Sequence, residues 1–218
     1  MFEPEMVEAS KTGDVEQTRI VLELLEYVGR GGEQSQRRLA SELGVALGLA
    51  NTYLKRCVKK GLVKIRHAPA RRYAYYLTPR GFAEKSRLTL EFMSYSFALF
   101  RRAKADCMAA LEAARERGYA RIVLIGASDL AEIAAICALD GGFVITAVVD
   151  ANIAAERFAG APVVRNMDLL APPPDAVLVT DMRTATATAE AAIAKFGAER
   201  VLVPVLLGVP PSDRRRSV

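Results

Sequence analysis

The 218-residue sequence contains one histidine, three cysteines and no tryptophan. With His67 as the sole imidazole, His-rich metal sites and most proton shuttles are excluded, and Ser-His-Asp hydrolysis loses nearly all its footing. Cys57, Cys107 and Cys137 stand 50 and 30 residues apart in stretches of helical periodicity. They fit neither a disulfide framework nor a paired-cysteine metal site and read as core packing. Long apolar runs are also missing: Val201–Ser212 is uncharged for 12 residues but holds three prolines, whereas a bilayer span needs about 20 apolar residues. No membrane partner is expected. The opening Met1-Phe2-Glu3-Pro4-Glu5 is acidic where a secretory signal would be basic, which points to the cytoplasm.

Acidic residues are scarce in one region. Residues 35–80 carry 11 Lys and Arg against Glu42 alone, a net charge of +10. Residues 1–118 have 21 basic and 14 acidic side chains, net +7, while 119–218 have 9 and 11, net −2. So one-sided a cluster repels itself, and a polyanion would relieve that repulsion while releasing its condensed counterions. Double-stranded DNA is the expected partner.

The apolar pattern divides the chain in the same place. Ile20, Leu22, Leu24, Leu25 and Val28 mark a first helix ended at Gly31-Gly32. Ser35 then caps a short helix with Leu39, Ala40 and Leu43 on one face. After the turn at Gly44, a second short helix runs from about Gly48 to Lys60, making a helix-turn-helix. Leu62–Arg66 and Arg72–Leu77 alternate as two strands around Ala68-Pro69-Ala70, the pattern of a wing. Thr78-Pro79 opens a helix reaching about Arg117. From Ala120, apolar strands alternate with helices: strands at Arg121–Gly126, Phe143–Val149, Ala176–Thr180 and Arg200–Leu206, and helices at Leu130–Leu139 and Ala185–Phe196. Such alternation calls for a parallel sheet covered on both faces. The expected architecture is an α+β winged helix-turn-helix domain (1–81), a long linker and dimerisation helix (82–118), a small α/β Rossmann-like domain (119–208) and a mobile tail (209–218).

In a helix-turn-helix the second helix enters the major groove. Its outer face carries Gly48, Asn51, Thr52, Lys55, Arg56 and Lys59. Asn51 suits an adenine edge and Thr52 a thymine methyl or a phosphate. The lysines and Arg56 suit phosphates, as do Arg37 and Arg38 in the preceding helix. Arg66, Arg71 and Arg72 of the wing suit a narrow minor groove. Apolar residues continue along the long helix after the wing, beyond what one winged domain covers, so a homodimer is expected.

The stretches Ser35–Val45, Lys60-Gly61-Leu62-Val63-Lys64 and Tyr75–Lys85, with Leu88-Thr89, resemble the MarR-type winged helix regulators, especially the branch associated with exopolysaccharide gene clusters. The likeness spans about residues 15–105 and implies a dimeric, DNA-binding transcription factor. Arg38 stands where that branch tends to have a glutamate.

In the second half, Gly126-Ala127-Ser128-Asp129-Leu130 lies between strand and helix, where a dinucleotide fold has its glycine-rich turn. Asp150 follows at the end of the second strand, where a ribose-binding acid would lie. The glycines are fewer than a pyrophosphate seat needs, and Asp129 opposes an anion at the helix start. A dinucleotide, another nucleotide-linked or small ligand, and a ligand-free dimerisation module therefore all stay open. Order and spacing of elements over about 119–207 resemble the NAD(H)-sensing Rex repressors and the nucleotide-binding domain that precedes polysaccharide dehydratases and sugar acetyltransferases. Those resemblances imply a dinucleotide or nucleotide-sugar effector. No metal site and no catalysis are expected. A small nucleotide-dependent enzyme is the alternative, but it has only Asp129, Asp150, Asp181 and Arg183 to work with near the crevice.

Overall fold

The computed structural model describes residues 4–31, 35–68 and 72–210, with backbone alone for 4–15, 67, 68, 72 and 73. The chain divides into two compact units, Met1–Phe97 and Ala98–Val218.

The first unit holds α1 (Pro4–Gly29), α2 (Gln36–Glu42), α3 (Leu47–Lys59), the strands β1 (Val63–Ala68) and β2 (Arg72–Leu77), and the start of α4 (Pro79–Glu116). α1 begins well before the apolar stripe that announces it, because the preceding Glu, Lys and Gln residues are themselves good helix formers. The Ser35 hydroxyl caps α2 by accepting from the Arg38 N–H at 3.2 Å. The Tyr27 hydroxyl donates to the Ser35 carbonyl and accepts from its N–H, pinning α2 to α1. Leu24, Leu25, Leu39, Ala50, Leu54 and Cys57 share one buried cluster with Val63 and Tyr75 of the wing. β1 and β2 pair antiparallel from Val63 with Leu77 to Ala68 with Arg72.

The wing passes into α4 through a tight contact. Thr78 donates its hydroxyl to the Gly61 carbonyl at 2.6 Å and its N–H to the Leu62 carbonyl at 3.0 Å, and its hydroxyl oxygen accepts from the Gly81 N–H at 2.9 Å, so it caps the helix while holding the strand entrance. A Cβ on Gly81 would lie 2.0 Å from the Leu62 carbonyl oxygen. Glycine is therefore required here by space alone.

The second unit contains the rest of α4, then β3 (Arg121–Ile125), α5 (Asp129–Asp140), β4 (Val144–Val149), β5 (Arg157–Phe158), β6 (Ala161–Val164), β7 (Ala176–Val179), α6 (Ala185–Phe196) and β8 (Val201–Leu202). The sheet order is β5-β6-β4-β3-β7-β8, parallel except for the β5–β6 pair. Side chains alternate between its faces. Ile122, Leu124, Val148 and Leu178 join Leu130, Ala134 and Cys137 of α5 and Ala103, Cys107, Leu111 and Ala114 of α4. Val123, Ile125, Val149 and Val177 pack with Ala192 of α6 on the opposite face. Helices thus cover both faces of a mainly parallel sheet, the Rossmann-like arrangement expected from the apolar strands.

Two local expectations change. The last strand stops at Leu202 instead of continuing to Leu206, because Pro204 has no N–H for the ladder; a 3-10 turn, Val205–Leu207, follows it. The short β5 adds an antiparallel edge that alternation could not announce, being two residues long. The expected tail lies outside the described residues from 211 onward. Among the described residues no helix is long and apolar enough to cross a membrane, and no group of His, Cys, Asp or Glu is placed to hold a metal ion.

Candidate nucleic-acid interface and nucleotide-fold cavity

α3 separates its residues by side. Ala50, Leu54 and Cys57 are buried, while Gly48, Thr52, Lys55, Arg56 and Lys59 are exposed on the other side. Neither Lys55, Arg56 nor Lys59 has an acid within ion-pair distance among the described residues. Arg56 and Lys59 also lie in the last turn, where the helix dipole favours cations. Thr52 donates its hydroxyl to the Gly48 carbonyl at 2.9 Å. Asn51 is half-buried, and its Oδ1 is enclosed with no hydrogen-bond partner among the described residues.

Arg37 and Arg38 are exposed in the first turn of α2. Arg38 lies 3.6 Å from Glu42, which also pairs with Arg30, so the one acid of the basic region is already engaged. Arg66, exposed on β1, stacks its guanidinium 5.7 Å from the centre of the Tyr76 ring. Arg71 lies outside the described residues, and of Arg72 only the backbone, paired with Ala68, is described.

In the second unit, chain order around the sheet reverses between β3 and β7, the place where such folds bind ligands. A cavity of about 560 Å³ opens at the carboxyl ends of β3, β4 and β7. Ile125, Gly126, Val149, Asp150 and Met167 line it from the strands and loops, and Asp181, Arg183, Thr184 and Thr188 from the start of α6.

The turn proposed from sequence to hold a pyrophosphate is occupied by the chain's own groups. Gly126 has φ +103°, and a Cβ there would come within 2.5 Å of the Asp181 backbone, so this glycine serves close packing. The Ala127 N–H donates to the Asp150 carboxylate at 3.0 Å. Asp150 is buried and also accepts from the Asn152 N–H at 2.8 Å, with the Arg183 guanidinium 3.8 Å away. Ser128 caps α5 and donates to the Thr180 carbonyl at 2.6 Å. Asp129 is exposed and Leu130 is in the core. Ala127 therefore meets Asp150, while Gly126 and Ser128 meet Asp181 and Thr180; Gly126 and Asp150 reach the cavity, and Leu130 lies in the core.

Asp181 completes the opposite wall. Burial works against its charge, yet the hydroxyls of Thr184 and Thr188 and the N–H groups of Arg183 and Thr184 donate to it, holding its pKa at about 2. The two threonines escaped the sequence reading. Their signal was the alternation Thr184-Ala185-Thr186-Ala187-Thr188, beginning three residues after Asp181.

Residues 17–64 match the family model described as winged helix-turn-helix DNA-binding. The first unit is thus a winged helix-turn-helix domain, and a Rossmann-like, parallel-rich sheet domain follows it. No curated protein matches the chain. Among solved structures, a MarR family transcription regulator is 24% identical, with 44% of this chain and 70% of that one covered at a TM-score of 0.36. MepR, a transcription regulator of the Staphylococcus aureus multidrug efflux pump MepA, is 16% identical over 45% of this chain and 82% of its own, with TM-score 0.34. An O-methyltransferase of neocarzinostatin biosynthesis, NcsB1, in complex with S-adenosyl-L-homocysteine, is 16% identical over 88% and 82%, with TM-score 0.38.

Proposed function

We propose that the protein is a cytoplasmic transcription regulator, without catalytic activity, that grips double-stranded DNA through its winged helix as a homodimer and takes a small effector in its second unit. The observation that carries the reading is the outer face of α3, where Lys55, Arg56 and Lys59 stand exposed, without acidic partners among the described residues, on a helix-turn-helix. Phosphate neutralisation is the use of such a face.

The dimer reading is supported by α4. Leu90, Met93, Phe97 and Phe100 recur at three- and four-residue intervals and are 67%, 45%, 55% and 42% exposed. So long an apolar stripe open to water marks an interface, and a second copy of the chain is the partner that an operator with two half-sites calls for. The effector reading is supported by the cavity, whose volume suits a small molecule. Because Asp150 already occupies the Ala127 N–H, the anionic part of a ligand belongs beside Arg183. The resemblance to polysaccharide-linked families makes a nucleotide sugar the first candidate, and polysaccharide genes the first place to seek operators.

Gel-shift titration of the full chain from 50 to 200 mM salt is the test. Binding to a near-palindromic site should fall steeply with salt, and Lys55→Ala, which removes one phosphate contact from each copy in the dimer, should reduce the log–log slope by about 1.8. Phe97→Glu should give a monomer by sedimentation and lose tight operator binding. Weak, sequence-indifferent binding at physiological salt would overturn the reading.

A further inference from the structure

We infer that the operator is read chiefly through thymine 5-methyl groups, contacted by the apolar amino-terminal end of α3. The inference rests on the DNA-binding reading above and specifies what the domain recognises.

Base edges are met by the amino-terminal residues of a recognition helix. In this chain that end exposes Ala46, Leu47, Gly48, Leu49 and Thr52, with Leu47 and Leu49 at 41% and 44% exposure. None of the first four has a hydrogen-bonding side chain. Thr52 has one, but its hydroxyl proton is committed to the Gly48 carbonyl at 2.9 Å, so it cannot donate to a base acceptor, and its γ-methyl adds to the apolar surface.

Asn51 does not fill the gap. Its Oδ1 is enclosed by protein, so a single end of the amide is left for a base. Exchanging the oxygen and nitrogen positions alters which atom is inside and not the count. Bidentate reading of adenine needs both ends together. The first charged side chain along α3 is Lys55, beyond this tip.

A reading end of leucines, glycine and a threonine methyl has one apolar counterpart in the major groove, the C5 methyl of thymine. The cations that follow on the same helix, together with Arg37 and Arg38 on α2, bring a polyanion to this surface. That favours DNA over a protein as the occupant of the exposed leucines.

The test begins with selection of bound duplexes from a random pool by the full chain, followed by single thymine-to-uracil replacements, which remove only the methyl. At each contacted position uracil should weaken binding roughly fourfold, the ratio expected for one methyl-sized apolar group. Leu47→Ala and Thr52→Ser should bind thymine and uracil sites equally at the positions they face, while Asn51→Ala should keep the wild-type sensitivity. Leu47 and Thr52 are exposed and Asn51 is half-buried, and circular dichroism is the check that all three variants fold. Equal binding of thymine and uracil by the wild type, with loss on replacing adenine by 7-deazaadenine, would mean hydrogen-bond reading and overturn the inference. So would Leu47→Ala and Leu49→Ala variants that leave every DNA measurement unchanged. Failure to retain any duplex at low salt would instead bring down the regulator reading beneath it.

Discussion

The carboxylate of Asp150 accepts the Ala127 N–H at 3.0 Å, so the acid at the end of β4 closes the turn at the end of β3. An internal group thereby takes the position that a bound anion holds in dinucleotide folds. Asp150→Ala would leave the N–H of half-buried Ala127 without its acceptor, while that of exposed Asn152 would turn to water. The expected cost is about 1 to 3 kcal/mol for the orphaned donor. Urea unfolding followed by circular dichroism should show the lowered midpoint. An unchanged midpoint would mean that the turn holds without its acid.

Asp181 gives the second unit an acid limit. Its folded pKa of about 2 lies below the ordinary aspartate value, so its stabilising effect is present above about pH 4 and disappears as pH falls toward 2. Thermal midpoints recorded from pH 6 to pH 2 should drop over that window. In Asp181→Asn the drop should be smaller, starting from a lower midpoint at pH 6 because the carboxylate that ties together Arg183, Thr184 and Thr188 ahead of α6 is gone.

Gly81→Ala tests the junction of wing and helix. The added methyl meets the Leu62 carbonyl oxygen at 2.0 Å, and backbone cannot swing aside as a flexible side chain would. Destabilisation of about 1 to 3 kcal/mol is expected, and the same substitution at exposed Gly48, with open space around it, should cost far less. Comparing the two by chemical denaturation separates steric exclusion from the general effect of losing a glycine.

All three thiols should be silent toward a disulfide reagent at pH 8 while the chain is folded. Burial pushes Cys57 up to about 11 and Cys107 up to about 12, and it also raises Cys137. Thiolate is the reacting species, so labelling should proceed at the rate of unfolding and become complete in urea. Fast reaction of one thiol in the native protein would place that cysteine nearer the surface than the packing has it.

Much of this was legible in the residues because the relevant signals are local. Ser35, Gly44 and Gly61 punctuate two short helices, and both glycines have positive φ, 62° and 71°, as helix-ending positions require. Uninterrupted apolar strands in the second half announced a sheet buried on both faces. The site was less legible. Asn51 shares a helical face with Thr52 on a wheel, but its rotation about α3 takes one amide end inside, and a one-dimensional spacing does not resolve that. Likewise Gly126, placed by its sequence position in a candidate ligand-binding turn, is small because Asp181 lies against it from 55 positions away. Long-range neighbours decide such cases, and composition does not reveal them.

Ala103, Cys107, Leu111 and Ala114 of α4 belong to the sheet's own core. A gene fragment starting at the first strand would therefore encode a sheet stripped along one side. The cassette that recombination can hand intact to another protein begins some twenty codons earlier, inside what looks at first like a mere connecting rod.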